Sequence, residues 1–185
     1  MTQRRWRWDW LPDQGAGSEM FEYEALAGGH VLHGKIVGNL EGAGLEAGYR
    51  VEADAAWRTR LVRVEIAGRG RVLEISANGI GRWSDADGTW IPALDGCIDV
   101  DISLTPSTNT LPIRRLPVGL GESVDIKVAY ILAPELGLRA GPQRYTRLAD
   151  RLWRFHAVDS GFTADISVDA DGFVVDYPGL FRRAD

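Results

Sequence analysis

Residues 97–116, CIDVDISLTPSTNTLPIRRL, hold most of the side chains of this chain that could do chemistry. Asp99 and Asp101 are two residues apart in an alternating run, so a strand would place both carboxylates on one face. A polar loop at residues 105–109 follows, and a pair of arginines closes the segment. Such a grouping predicts either a polar binding site or a structural clamp.

The two carboxylates support two interpretations. As a functional pair, Asp99 and Asp101 would be a general acid and base or would bind a hard metal ion, and a glycosidase likewise needs two carboxylates. As a clamp, they would accept hydrogen bonds from Arg114 and Arg115. Nearby arginines would lower the pKa of both carboxyls, which favours ion pairs over a general acid. We predict that one of these arginines bonds to one of the aspartates in a partly buried pair.

Other polar side chains leave similar alternatives open. In the loop 105–109, the hydroxyls and Asn109 would either bond to their own backbone or hold a ligand. Arg58 and Arg60 share the strand face opposite Trp57. They form either a surface stripe or a second charged wall of a polar pocket.

The elements that must position these residues are strands. Alternation runs through nearly the whole chain, and turn residues recur about every eight to twelve residues, which is typical of all-β proteins. The predicted strands are residues 20–27, 30–40, 45–53, 57–67, 71–77, 98–102, 123–132, 143–148, 152–158, 162–168 and 173–177, with a hairpin through 82–91. Helical periodicity is weak, and only single turns are expected, at 112–116 and 134–138.

These strands predict one all-β domain over residues 1–185 with little helix. The sheet should be mostly antiparallel and strongly curved, forming a roll, a barrel or a half-barrel, because a long meander must protect its edges. Three tryptophans near the start, Trp6, Trp8 and Trp10, alternate and share one face. We assign them to the core first and to carbohydrate or lipid contact second.

Composition limits the classes of function. The 185 residues are 45% hydrophobic and 25% charged, with a net charge of −5, as in ordinary globular proteins. The acidic balance argues against nucleic acid as a partner, because such binding needs a basic surface. Cys97 is the only cysteine, and no signal peptide or stretch of about 18 apolar residues is seen. We expect a cytoplasmic protein without a transmembrane segment.

Motifs for metals and cofactors are missing from the sequence. His30 and His33 are three residues apart on a predicted strand and so lie on opposite faces, which argues against a zinc site. Cys97 lacks the flanking motif of a nucleophile and is predicted to be a small buried apolar residue. No phosphate-binding loop, dinucleotide fingerprint or serine-hydrolase motif occurs, so no cofactor is predicted.

Several motifs resemble a bacterial family of putative glycolipid-binding proteins. They are Tyr49-Arg50, Asp54, Trp57-Arg58-Thr59-Arg60, the run from Gly96 to Ile102, Thr105-Pro106, the run from Thr108 to Arg115, Tyr145-Thr146-Arg147, Phe162, Val168-Asp169 and Tyr177-Pro178. The resemblance covers nearly the whole chain, from about Trp10 to Phe181. It implies a curved antiparallel sheet like that of lipoprotein carriers, which cradle acyl chains. It implies no catalytic residues.

Three functions are consistent with the residues and the resemblance. The first is non-enzymatic binding of a glycolipid or similar amphiphile, with tails in an apolar cavity and the head group held at the rim. The second is a hydrolase or isomerase for a sugar-like substrate, with Asp99 and Asp101 as acid and base. The third is a structural protein without a ligand. We favour the first, with these predicted ligand-binding residues: Arg58, Arg60, Asp99, Asp101, Asn109, Arg114, Arg115 and Tyr145.

Overall fold

The structure, a computed structural model, describes residues 2–40 and 42–184, which form one curved sheet of fourteen strands. The strands are β1 Thr2–Trp10, β2 Ala16–Leu26, β3 Gly29–Leu40, β4 Ala43–Asp54, β5 Thr59–Ile66, β6 Arg71–Ala77, β7 Trp83–Asp85, β8 Asp99–Ile102, β9 Ser123–Leu132, β10 Gly137–Ala149, β11 Leu152–Ala157, β12 Phe162–Val168, β13 Val174–Tyr177 and β14 Phe181–Ala184. The helical segments are the 3-10 turns Pro92–Leu94 and Ser107–Asn109 and the helix α1, Thr110–Arg115. The all-β prediction is confirmed.

The strand order joins two meanders at the chain ends. It runs β7-β6-β5-β4-β3-β2-β1-β14-β13-β12-β11-β10-β9-β8. We call β1–β7 the N-terminal half and β9–β14 the C-terminal half; β1 pairs with β14 between them. Neighbouring strands are antiparallel except β8 and β9, which are parallel.

Alternation along the strands builds the core on the inner face of the sheet. In β1, Trp8 and Trp10 are buried, and Trp6 packs partly buried against the same cluster. The indole nitrogen of Trp8 donates to the backbone oxygen of Val174 at 3.0 Å, which satisfies its polar group inside the core. The first assignment of these tryptophans, to the core, is therefore confirmed.

The predicted curved, mostly antiparallel sheet is confirmed, but a closed barrel is wrong, because the sheet curves without closing. Edge strand β8 has only four residues. The backbone N–H of Val100 donates to Thr59 Oγ1 at 3.2 Å, and that of Ile102 donates to Thr108 Oγ1 at 3.3 Å. Since Thr59 belongs to β5, strand β8 meets the N-terminal half through a side chain instead of a strand ladder. The threonine hydroxyls thus accept hydrogen bonds from backbone N–H groups of this edge strand that could otherwise pair with another strand.

Two local predictions also need correction. Strand β5 begins at Thr59 instead of residue 57, and Trp57 has a φ of 62° in the preceding loop. The ladder with β4 skips Arg60, which makes Arg60 the extra residue of a β-bulge and turns Thr59 inward.

The turn at residues 112–116 is confirmed as part of α1. Residues 134–138 do not form a helical turn, because Leu136 has a φ of 59° and β10 begins at Gly137.

Candidate functional site

Residues 97–116, which we call the central segment, lie inside the curve of the sheet and bond to both halves. From the N-terminal half, the Trp83 indole donates to the Cys97 carbonyl at 2.8 Å, and the Tyr49 hydroxyl contacts Ser107 Oγ at 2.7 Å. From the C-terminal half, the Tyr145 hydroxyl donates to Asn109 Oδ1 at 2.9 Å. The central segment therefore fills interior space that a ligand would occupy in an empty roll.

The predicted clamp between an arginine and an aspartate is confirmed for Arg115 and Asp99. The guanidinium donates from Nε to Asp99 Oδ1 at 3.0 Å and from Nη2 to Asp99 Oδ2 at 2.6 Å. The Asp99 side chain is fully buried, and that of Arg115 is 19% exposed. A paired geometry of this kind ties α1 to strand β8 within the central segment.

Asp101 has a different environment from Asp99. Its Oδ2 accepts a hydrogen bond from Gln143 Nε2 at 2.6 Å, and its Oδ1 accepts one from Thr108 Oγ1 at 3.3 Å. No ion pair joins Asp101 to a cationic side chain among residues 2–40 and 42–184. Both partners of this carboxyl are neutral.

Burial changes the acidity of both aspartates in the direction opposite to our expectation. Removal from water raises the pKa of Asp99, and the Arg115 guanidinium opposes that rise without cancelling it. Burial also raises the pKa of Asp101, against smaller opposing effects of the Gln143 and Thr108 hydrogen bonds and of the Arg139 charge. The prediction that arginines lower both pKa values was wrong because desolvation is the larger influence at each site.

The remaining predicted arginines lie away from these carboxyls. The guanidinium carbon of Arg114 is 5.3 Å from the centre of the Trp57 ring, and the side chain is exposed. Arg58 bonds to Asp54 at 3.0 Å, and Arg60 donates to the backbone oxygen of Ala77 at 3.0 Å. These three arginines belong to the surface at the β4–β5 loop and the outer side of α1.

A cleft of about 470 Å³ opens between the central segment and the C-terminal half, with Asp13, Gln14 and Leu40 of the N-terminal half also lining it. This volume lies within the usual range for small-molecule sites. The lining comprises Asp13, Gln14, Leu40, Asp101, Ile102, Ser103, Leu104, Thr105, Asn109, Tyr130, Leu132, Ala133, Arg139, Gly141, Pro142, Gln143, Phe155, Ala157, Asp159, Ser160, Phe162, Tyr177, Leu180 and Phe181.

The cleft lining mixes polar groups and aromatic rings. Of its polar members, Thr105, Asn109 and Gln143 are buried. Of its large apolar members, Phe162 is 39% exposed and Leu132 is 48% exposed, so apolar side chains reach the mouth. This distribution differs from the expected apolar interior with a polar rim. The difference arises because the polar loop of the central segment is folded inward.

The structure brings only some of the predicted site residues to the cleft. Asp101 and Asn109 line it. Tyr145 lies behind Asn109, and the Asp99–Arg115 pair holds the same segment, so these three act on the cleft only through the wall. The predicted second wall of Arg58 and Arg60, and the Arg114 side chain, do not line it.

Sequence reasoning missed several residues around the cleft. Gln143, Phe155 and Tyr177 all line it, but only Tyr177 carried a signal, as part of the family pattern. Glu19 and Tyr49 were also missed, although they are buried and bond to each other beside the cleft wall. Glu19 is two residues before Phe21 and four before Tyr23, so a strand places it on the same face as these core residues. This spacing could have predicted from the sequence that Glu19 is buried.

Comparisons with known proteins place the chain in a family. The profile of the family described as "Putative glycolipid-binding" matches residues 7–183. The chain belongs to this family. A crystal structure of a DUF1089 family protein from Pseudomonas aeruginosa, at 1.80 Å resolution, resembles this chain with a TM-score of 0.81 and 38% identity, over 90% of this chain and 91% of that chain. No match was found among curated proteins. The resemblance drawn from the motifs is confirmed.

Residues 2–40 and 42–184 contain neither a membrane-spanning helix nor a metal-binding cluster. In that part of the chain, no helix is long and apolar enough to cross a membrane. Within the same residues, no three His, Cys, Asp or Glu side chains are grouped as metal ligands would be. Cys97 is buried, and burial raises the pKa of its thiol to about 11, so the thiolate needed for nucleophilic attack or metal binding is disfavoured.

Proposed function

We propose that this protein binds an amphiphile with a hydroxylated head group, such as a glycolipid, without catalysing a reaction. The observation that carries the proposal is the mixed lining of the 470 Å³ cleft, in which buried polar groups and aromatic rings share one space. Membership in a family named for glycolipid binding supports it independently. An amphiphile has the two kinds of surface that such a lining can satisfy.

The burial of the lining residues supports a head-first orientation. Asn109 and Gln143 are buried and offer hydrogen-bonding groups beside Asp101. Phe162 and Leu132 are partly exposed and offer apolar surface at the mouth. In this proposal, the head group lies toward the central segment and the tail extends past Phe162. Asp99, Arg115 and Tyr145 hold the wall and do not contact the ligand.

The test is calorimetric titration with octyl glucoside below its micellar concentration, together with its two halves, methyl glucoside and 1-octanol. Octyl glucoside should bind in the micromolar range, and each half should bind much more weakly, because each satisfies only one kind of lining surface. Equal binding of 1-octanol would indicate a purely apolar site. Absence of heat with all three compounds would contradict the proposal.

Substitutions locate the binding to the cleft. Phe162→Ala should weaken octyl glucoside binding severalfold, because it removes an apolar wall at the mouth. Ile80→Ala is the matched control, since Ile80 is 75% exposed and is not part of the cleft lining. If both variants bind as the wild type does, the ligand lies elsewhere.

A second candidate function is a hydrolase for a sugar-like substrate, favoured by the state of Asp101. This carboxyl has only neutral partners, and burial raises its pKa, as a general acid requires. Asp99 is not available as the partner base, because both of its oxygens accept bonds from Arg115. The second carboxyl would be Asp13 or Asp159, which also line the cleft.

Aryl glycosides distinguish this candidate from the binder. Release of the aryl group by the wild type and its loss in Asp101→Asn would establish hydrolysis. Binding of octyl glucoside without turnover of any aryl glycoside would leave the non-enzymatic proposal. We further propose a cytoplasmic location, on the ground that the single cysteine excludes an intrachain disulfide.

A further inference from the structure

Glu19, on β2, is a buried carboxyl that neither the clamp nor the cleft lining uses. Its side chain has 0% exposure, and its Oε1 accepts a hydrogen bond from the Tyr49 hydroxyl at 2.5 Å. Its Oε2 has no hydrogen-bond partner among the described residues. An ionised carboxylate in this position would be desolvated and only half satisfied, which is strongly unfavourable.

Gly34, on β3, makes room for this pair. A side chain carbon at Gly34 would overlap the Tyr49 ring and would lie 2.5 Å from Glu19 Oε1. The Glu19–Tyr49 contact therefore depends on a residue without a side chain at a neighbouring strand position. Strand β3 thus provides the space that the contact between Glu19 on β2 and Tyr49 on β4 requires.

Tyr49 connects Glu19 to the cleft wall. Its hydroxyl is 2.7 Å from Ser107 Oγ and 3.2 Å from Thr105 Oγ1. Thr105 lines the cleft, and its Oγ1 also accepts the backbone N–H of Ser107 at 3.0 Å. One phenol oxygen therefore joins β2 to the part of the central segment that borders the cleft.

The number of protons in this network depends on Glu19. A tyrosine hydroxyl has one proton to donate. If Glu19 is protonated, its own O–H can donate to Tyr49, which leaves the Tyr49 proton for Ser107. If Glu19 is ionised, the carboxylate requires the Tyr49 proton, and the Tyr49–Ser107 contact is kept only if Ser107 donates its own proton. The charge state of Glu19 thus sets the direction of the hydrogen bonds that hold the cleft wall.

We propose that Glu19 is a positioning residue whose neutral form holds residues 105–107 in place through Tyr49, and whose ionisation loosens this wall and weakens ligand binding. The inference rests on the proposed function, because it concerns the same cleft. Burial raises the pKa of Glu19 to about 8, so the change falls within an accessible pH range.

Among residues 2–40 and 42–184, no titratable side chain other than Tyr49 bonds to Glu19 or pairs with it across the strands. Its neighbours across the strands are Trp8 on β1 and Ile36 on β3, and the central segment contributes only hydroxyls. Tyr49 is the exception, but burial raises its pKa well above the ordinary value, so that it stays neutral. The pH response is therefore assigned to Glu19.

The binding test compares octyl glucoside affinity at pH 6.5 and pH 9.5 in the wild type, Glu19→Gln and Glu46→Gln. Glutamine keeps the shape of the neutral carboxyl and cannot ionise, and Glu46 is an exposed carboxyl on β4. The wild type and Glu46→Gln should lose affinity about tenfold at the higher pH. A tenfold loss corresponds to a Glu19 pKa that differs by one unit between the ligand-free and ligand-bound protein. Glu19→Gln should keep its affinity. An equal pH response in all three proteins would overturn the inference.

A second measurement does not need a ligand or a variant. Amide hydrogen exchange in the wild type should show that residues 105–109 lose protection relative to β11 as the pH rises through 8. Strand β11 is the internal control because base catalysis of exchange affects both segments equally. A constant ratio would contradict the role of Glu19 even if octyl glucoside binds. Conversely, a changing ratio without any binding would refute only the proposed function.

Discussion

Asp99 and Asp101 lie two residues apart on β8, and each accepts two hydrogen bonds from side chains of the described residues. The partner of Asp99 is the charged Arg115, which bonds to both oxygens. The partners of Asp101 are the neutral Gln143 and Thr108, and Asp101 also lines the cleft. Within the four residues of β8, Asp99 therefore forms the clamp with Arg115, and Asp101 belongs to the candidate site.

This comparison shows that burial alone does not define the role of a carboxyl. A buried carboxylate is tolerated when a guanidinium compensates its charge, as at Asp99. The hydrogen-bond partners of Asp101 and Glu19 are neutral side chains. Burial raises the pKa of all three carboxyls, and it raises that of Glu19 to about 8. We expect the clamp to determine stability. We expect Asp101 and Glu19, whose hydrogen-bond partners are neutral, to determine the response to pH and ligand.

The largest effect should come from breaking the clamp. Arg115→Ala removes both donors from a fully buried Asp99, and the loss of one partner of a buried pair typically costs about 3–5 kcal/mol. For a chain of this size, that corresponds to a fall in melting temperature of roughly 6–20 °C. Thermal unfolding followed by circular dichroism measures it.

Arg114→Ala is the matched control for the clamp. The exposed Arg114 loses its contact with the Trp57 ring, which is worth about 0.5–1 kcal/mol. If the two alanine variants melt at the same temperature, the Asp99–Arg115 pair is not a clamp and the contrast between the two aspartates disappears.

The next effect concerns the space around Glu19. Gly34→Ala would drive a methyl group into the Tyr49 ring and toward Glu19, and overpacking of this kind costs about 1–3 kcal/mol. Gly48→Ala on the adjacent strand is the control, since the nearest atom to an added carbon there is 3.8 Å away. Urea denaturation of both variants should show a clear loss of stability for the first only. Equal stability would mean that the Glu19–Tyr49 contact is not tightly held.

The structure shows which of these features could be predicted from sequence. The Asp99–Arg115 pair was accessible because its partners are 16 residues apart within one motif. The pairing of Asp101 with Gln143 was not, because it depends on the parallel register of β8 with β9 and on the place of β10 beside β9. Alternation of apolar and polar residues predicted most strands. It fails to predict which face a side chain takes where a β-bulge inserts an extra residue.

The failures have local physical causes. The bulge at Arg60 reversed the parity of β5, so Arg58 and Arg60, which were predicted as ligand-binding residues, lie outside the cleft lining. Glu19 was missed because the predicted strand began one residue after it, although β2 begins at Ala16. Strand β14 was missed because its four residues become a strand only by pairing with their neighbours, among them β1.

A gradual effect, small within any one pH unit, should appear in the pH dependence of stability. Between the ordinary pKa of a glutamic acid, 4.5, and about 8, the unfolded chain has released the Glu19 proton while the folded chain retains it. The stabilisation is fully present below pH 4.5 and is lost as the pH rises through 8, by up to about 1.4 kcal/mol per pH unit. Glu19→Gln should remove this slope, and urea denaturation at several pH values measures it. Glu46→Gln should keep the slope, and a similar slope in all three proteins would assign it to other groups.

The smallest effect should come from Asp101→Asn, which tests the comparison directly against Asp99→Asn. At position 101, asparagine keeps its oxygen toward Thr108 and presents its amide group to Gln143. Because Gln143 Oε1 has no partner among the described residues, the Gln143 amide can turn by half a rotation and accept that bond. The number of hydrogen bonds is preserved, and the free energy of unfolding should change by less than about 1.5 kcal/mol.

At position 99 no such rearrangement exists. Both oxygens of Asp99 accept bonds from Arg115, and a guanidinium has no acceptor to offer. An asparagine amide would therefore face a donor, and a buried positive charge would lose its counter-charge, so Asp99→Asn should cost about 3 kcal/mol or more. Thermal unfolding of the two variants measures the difference. Equal destabilisation would show that Asp101 also compensates a charge, and that strand β8 carries two clamps instead of one clamp and one site residue.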